Sequence, residues 1–290
     1  GGSIRIPAAC CGLVGLKPTR GRFDMEGSNQ LPVNVAVQGV LTRSVRDTSA
    51  FWAALSQAVP RKHLPPMTSS RREPGRPLHI AFSAGTPNGG PVDARHVEAM
   101  ERVARTCESL GHHVEEHPSF IDAQFMNDFL DYWSFVAWAQ RTFMGVVTQR
   151  GFDGAQVDAW TEGLCARFSS QRLKTLGAVR RLRTFHQRFL AHFERFDVLL
   201  TPTLAHPPPP LGHLSPDVDF AVQFERLIAY VPFTPAFNVS GAPAISLPLA
   251  RTAEGLPIGL QFGANRGQEA LLLELSAQLE AALPWPTLPT

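Results

Sequence analysis

Proline and glycine cut this chain into short pieces, and every element has to fit between the cuts. The 290 residues include 25 prolines and 23 glycines, with the breaks gathered at 60–77, 87–91 and 202–216. Proline removes a backbone donor and glycine weakens element interiors, so helices and strands stop where these residues cluster. Residues 44–58 read as a helix, with Ser44 as its cap, Asp47 three positions on, and Phe51, Trp52 and Leu55 on one face. The stretch 60–77 is basic, proline-rich and without period, which predicts an exposed loop. A short strand at 78–82, an amphipathic helix at 93–110 ended by Gly111, and a second strand at 113–116 form a strand–helix–strand unit. Long helices follow at 125–147 and 170–193, then a strand at 197–200 halted by Thr201-Pro202. Strands at 244–249 and 258–262 are joined across Gly255-Leu256-Pro257, and a helix at 268–282 closes the chain. Helices and strands intermingle to the end without an internal repeat, so the fold class is α/β.

The charge balance excludes several classes of function. Lys plus Arg is 27 against 25 for Asp plus Glu, a net charge of +2. That gives no electrostatic reason to expect nucleic acid or an anionic membrane as partner. The row Arg167, Arg172, Arg180, Arg181, Arg183 and Arg188 reads as a solvated helix face. No run of about 18 apolar residues is present to span a membrane. The four cysteines, Cys10, Cys11, Cys107 and Cys165, form no CxxC pair and are too sparse for a disulfide framework. They fit a reducing compartment, and a cytoplasmic location is expected. His112, His113 and His117 follow a helix end and read as surface residues rather than metal ligands. No metal or other cofactor is expected.

The first twenty residues carry the chemistry. Gly1 and Gly2 precede Ser3. Glycine lets backbone N–H groups come close to a reacting atom, and such groups beside a serine hydroxyl are the parts of a nucleophile with an oxyanion hole. Cys11, Leu13, Val14 and Leu16 would anchor that turn on a buried strand. Gly-Gly-Ser is equally an ordinary flexible turn, and these residues alone leave both readings open. The absence of Gly-x-Ser-x-Gly argues against an α/β-hydrolase elbow. Gly85–Gly90 lacks the Gly-Lys-Ser/Thr of a phosphate loop and reads as a turn.

The longer strings GGSIRIPA and CGLVGLKPTRGR resemble the amidase signature family. The resemblance extends to VLTRSVRDT at 40–48, DVLLTPT at 197–203, FNVSGAPAISLP at 237–248 and GLPIGLQ at 255–261. Within that family the chain is similar to bacterial amidases of the 6-aminohexanoate-cyclic-dimer hydrolase type. The resemblance implies a mixed sheet core flanked by helices, incomplete at its N-terminus, with residues 1–290 forming the C-terminal part of a single amidase domain. It implies a variable, helical, substrate-facing region over 120–195.

The activity implied is hydrolysis of a carboxamide through a serine acyl-enzyme, with a small-molecule amide as substrate and a homodimer as the assembly to test. Ser3 matches the nucleophile of a Ser–Ser–Lys triad, Gly1 and Gly2 match part of the oxyanion hole, and Arg5 matches a position that braces the motif. The bridging serine and the lysine base match positions upstream of residue 1, while Lys17 matches the family's downstream Leu-Lys-Pro-Thr. The chain opens without methionine, which makes a fragment, inactive by itself, the expectation. Phe129, Tyr132, Trp133, Phe135, Val136 and Trp138 form an aromatic stripe that reads as core, with Trp133 and Trp138 the candidates for lining a substrate pocket. The alternatives are an amidotransferase A-type subunit acting on charged tRNA and a truncated, non-catalytic remnant.

Overall fold

The structure is a computed structural model and describes residues 2–23, 31–67, 75–147 and 151–286. Gly1 therefore lies outside the described residues, as do 68–74 of the proline-rich stretch. In chain order the elements are α1 (Arg5–Cys11), β1 (Val14–Lys17), β2 (Leu41–Thr42), α2 (Val45–Ala58), β3 (His79–Phe82), α3 (Ala94–Ser109) and β4 (His113–Glu116). There follow α4 (Ala123–Val147), α5 (Ala159–Ser170), α6 (Arg172–Leu190), a 3₁₀ turn (Ala191–Glu194) and β5 (Val198–Pro202). The last are α7 (Phe220–Tyr230), α8 (Pro235–Ser240), β6 (Ala244–Arg251), β7 (Pro257–Ala264) and α9 (Glu269–Ala282).

Seven strands make one mixed sheet in the order β2-β1-β6-β7-β5-β3-β4. β3 pairs in parallel with β4 and with β5, and the other neighbours are antiparallel. The strand–helix–strand unit is β3–α3–β4, as its spacing predicts. Asp93 caps α3 by accepting from the Arg95 amide, and Gly111 follows it at φ +91°. Ser44 caps α2 by accepting from the Asp47 amide. β5 runs on through Pro202, which sits opposite Leu260 in the antiparallel register.

Strand alternation sorts the core into two layers. On β7, Ile258, Leu260, Phe262 and Ala264 join a cluster with Trp52 of α2, Met100 and Val103 of α3, and Leu272, Leu275 and Leu279 of α9. Ile245, Leu247 and Leu249 of β6 join the same layer. The opposite layer gathers Ala81, Leu199 and Ala244 with Phe125, Phe129 and Tyr132 of α4, Phe185 and Phe189 of α6, and Phe237 of α8. α1 lies against β1, β6 and β7 through small residues. A Cβ on Gly259 would stand 2.5 Å from the Ala9 Cβ, so the helix can reach the sheet only because glycine is there.

Several expectations are corrected. The buried strand after the Ser3 turn begins at Val14; Cys11 belongs to α1 and is exposed. Gly12, at φ +67°, stops the helix and donates to the Ala8 carbonyl, which separates the two elements. Phe51 is 39% exposed while Trp52 is 1% exposed, because neighbours in sequence lie 100° apart around a helix. His112 is buried: its Nδ1 accepts from the Leu78 amide at 3.2 Å, and its Nε2 lies 3.2 Å from Gln278 Oε1. The arginine row is solvated as expected at Arg172, Arg180, Arg181, Arg183 and Arg188, and only Arg167, on α5, is half-buried. Arg181 and Arg167 pair with Asp128 and Asp131 of α4, and Arg188 with Asp122.

Two buried points test this packing. Leu260 has no exposed surface. Leu260→Asp is expected to cost about 3–5 kcal/mol, the order seen when a charge is left buried and unpaired, and thermal unfolding measures it. The second is the Arg22–Glu269 pair, in which Glu269 accepts from Arg22 Nε at 2.6 Å and from the Thr19 amide at 2.8 Å. Burial pushes the Glu269 carboxyl up, but the hydrogen bonds and charge of Arg22, with the Thr19 amide, together outweigh it and hold it below its ordinary value. A depressed folded-state pKa gives stability that is present above the unfolded pKa and lost as pH falls through the folded one. Glu269→Gln is therefore expected to be less stable than the parent at neutral pH, with the gap closing in acid, read by denaturant unfolding across pH.

Candidate active site

The site begins at a turn that only glycine can make. Gly2 has φ +130°, and a Cβ there would stand 2.5 Å from Ile6 Cδ1 and 2.6 Å from Thr234 Oγ1. Its carbonyl accepts from the Ile6 amide at 2.9 Å, fixing the entry to α1. Ser3, next along, is exposed.

Two residues further on, Arg5 is wholly buried. Its guanidinium donates to Gln261 Oε1 of β7, to Asn238 Oδ1 of α8 at 2.5 Å, and to the Thr234 carbonyl at 3.0 Å. It also lies 5.7 Å from the centre of the Phe237 ring. None of these partners is a carboxylate. Burial pulls the Arg5 pKa down to about 9, so the group remains protonated at neutral pH. The acceptors are themselves held. Gln261 Nε2 donates to Thr201 Oγ1 at 3.1 Å, and Asn238 Nδ2 to the Val35 carbonyl at 2.7 Å. Arg20 donates to the Asn238 and Val239 carbonyls at 3.1 and 3.0 Å. The turn bearing Ser3 is thereby tied to β5, β7, α8 and the segment at residue 35.

Ser3 stands between two cavities of different character. One, of about 350 Å³, runs from Ser3, Ile6 and Pro7 toward Met126, Phe129 and Trp133 of α4, with Leu227 and Ile228 of α7 closing it. The other, of about 300 Å³, is lined by Gly2, Ser3, Arg5, Lys17 and Asn238, with the chain at 35–37. Lys17 is 1% exposed and donates to the Pro18 carbonyl at 2.8 Å. Burial, and then the neighbouring Arg5 and Arg20 charges, hold its pKa well below the ordinary lysine value.

The structure thus brings Gly2, Ser3, Arg5 and Trp133 together. It does not bring Trp138, which lines a separate cavity with Arg141 and Cys165 and packs on Phe168 at 4.8 Å. Five positions along α4 turn Trp138 to a different flank from Trp133. Asn238 and Gln261 are the residues that sequence reasoning left without a role. Both stand inside the strings FNVSGAP and GLPIGLQ, and a polar side chain among apolar neighbours was the available signal. Among the described residues no group of three or more His, Cys, Asp or Glu could hold a metal ion. Among them, too, no helix is long and apolar enough to cross a membrane.

A family model described as Amidase matches residues 1–273. The chain belongs to the amidase family. It is 44% identical to "Putative amidase AmiC" of Mycobacterium tuberculosis (strain ATCC 25618 / H37Rv) over 98% of this chain and 60% of that protein. It is 33% identical to 6-aminohexanoate-cyclic-dimer hydrolase of Pseudomonas sp. (strain NK87) over 98% of this chain and 62% of that one. A solved structure of 6-aminohexanoate cyclic dimer hydrolase superposes with a TM-score of 0.82 at 30% identity, covering 98% of this chain and 63% of that chain. The chain therefore spans about 60% of the length of the curated relatives it matches. The mixed sheet with flanking helices is the amidase signature fold.

The Arg5 network yields a direct test. Gln261→Leu would remove one acceptor from a fully buried cation. A hydrogen bond to a charged group contributes about 1.5–3 kcal/mol. A loss of that order in unfolding free energy is expected, and denaturant titration of the variant checks it.

Proposed function

We propose that Ser3 is the nucleophile of an amide hydrolase. The observation that carries the reading is the placement of its hydroxyl. It is exposed where an apolar cavity meets one that Arg5, Lys17 and Asn238 help to line, on a turn held by a buried arginine. Attack by the Ser3 Oγ on the carbonyl carbon of a carboxamide gives a tetrahedral oxyanion. The backbone N–H groups of Gly1, Gly2 and Ser3 stabilise it, and its collapse expels ammonia or an amine to leave an acyl-enzyme. Water then attacks the ester and releases the carboxylic acid.

Serine at its free pKa is a poor nucleophile and needs a base. In the triad that the family resemblance implies, a bridging serine carries the proton to a lysine, and neither residue is assigned among these 290. Among the described residues Ser3 has no hydrogen-bonded base, and Lys17 directs its Nζ to the Pro18 carbonyl. Arg5 acts by positioning, because both terminal nitrogens of its guanidinium donate to Gln261, Asn238 and the Thr234 carbonyl.

In the full-length protein that carries this chain, Ser3→Ala is expected to lower kcat by on the order of 10⁶-fold while leaving thermal unfolding unchanged. A fluorophosphonate is expected to label the peptide containing Ser3. Near-normal amidase turnover in Ser3→Ala would sink the assignment.

A further inference from the structure

Resting on the reading of Ser3 as nucleophile, we propose that the protein takes neutral amides bearing one compact apolar group, and that α4 and α7 set this preference through Met126, Trp133 and Leu227. The cavity beside Ser3 is the ground for it. Apart from Ser3, its walls are hydrocarbon, thioether and indole: Ile6 and Pro7 from α1, Met126 and Trp133 from α4, Leu227 and Ile228 from α7. Among the described residues no charged side chain lines it.

Helical geometry explains how the charges are kept out. On α4, positions 126, 129, 130 and 133 face this cavity, while Gln124, Asp128 and Asp131 face a different, polar cavity toward α6. There Asp128 is engaged by Arg181 and Asp131 by Arg167. A carboxylate or ammonium entering this cavity would lose its hydration and meet no counter-charge among the described residues, whereas an alkyl or aryl group would gain by burial. The walls are also braced. Trp133 stacks 6.3 Å from Phe129 and tilts against Trp160 at 5.7 Å. At about 350 Å³ the space is near the lower end of ligand pockets, which suits a phenyl or short alkyl group rather than a long chain.

The test uses the full-length protein and two matched series of amides. In the first, the amine is aniline and the acyl group is hexanoyl, benzoyl, glutaryl or 6-ammoniohexanoyl. In the second, the acyl group is acetyl and the amine is hexylamine, aniline or a chain of equal length ending in a charge. In at least one series the neutral apolar members should have kcat/KM higher by about tenfold or more, the scale at which apolar pockets discriminate. The series that shows it identifies the acyl or the amine side as the occupant. Trp133→Phe and Leu227→Glu report on the walls. Leu227→Glu should lower turnover of the apolar substrates and raise that of the cationic ones, so that a gain is read rather than a loss. Fluorophosphonate labelling at Ser3 is measured in every variant. Labelling with no preference in either series, or with preferences unchanged in Leu227→Glu, overturns the pocket proposal while leaving Ser3 as the nucleophile. Absence of labelling, with turnover retained in Ser3→Ala, overturns the reading beneath it.

Discussion

A protonated guanidinium sits at the centre of this site with no carboxylate among its described partners. Burying such a charge is costly unless polar groups satisfy it, and Arg5 draws those groups from distant parts of the chain: Gln261 on β7, Asn238 on α8 and the Thr234 carbonyl. The two side-chain acceptors are in turn fixed by further bonds, Gln261 to Thr201 and Asn238 to the Val35 carbonyl. The Ser3 turn therefore cannot shift without uncovering a buried charge. Gly2 completes the constraint, because its φ of +130° and the side chains of Ile6 and Thr234 around it admit no Cβ.

The sheet makes that arrangement affordable by dividing its labour between two faces. Along β7 the residues at 258, 260, 262 and 264 are apolar and belong to the layer with α2, α3 and α9. The residues between them are Gly259, Gln261 and Gly263. Gly259 lets α1 approach, and Gln261 receives Arg5. One face thus supplies burial and the other supplies the site, and the period of two along a strand keeps them apart. α4 repeats the device with a period of 3.6, turning Met126 and Trp133 toward Ser3 and Asp128 and Asp131 toward the arginines of α5 and α6.

Features that depend on local chemistry were legible. The Ser44 cap, the Asp93 helix with Gly111 behind it, the parallel β3–β4 unit and the β6–β7 hairpin all rest on neighbours in sequence. Short or proline-led elements were not. α1 is only seven residues long and carries no side-chain cap, so Cys11 at its end reads with the strand that follows. α8 starts at Pro235 and spans six residues, too few for a period to register. α5 and α7 sit beside loops whose prolines and glycines masked them.

The sequence by itself determined the family and marked Ser3, because two glycines before one serine, with the strings at 40–48, 197–203, 237–248 and 255–261 further on, are signals written in neighbouring residues. It determined the hairpin faces for the same reason, since alternation is written residue by residue. Only the tertiary structure decided which distant residues serve the site. His112 reads as surface until Leu78 and Gln278 close over it. The arginine row reads as solvated and mostly is, but only the fold gives Arg167, Arg181 and Arg188 their partners Asp131, Asp128 and Asp122. Trp133 and Trp138 are equivalent in composition and differ only in the direction a helix turns them. Asn238 and Gln261 lie 233 and 256 positions from Arg5, and their partnership exists only because a buried charge must find acceptors wherever the fold places them.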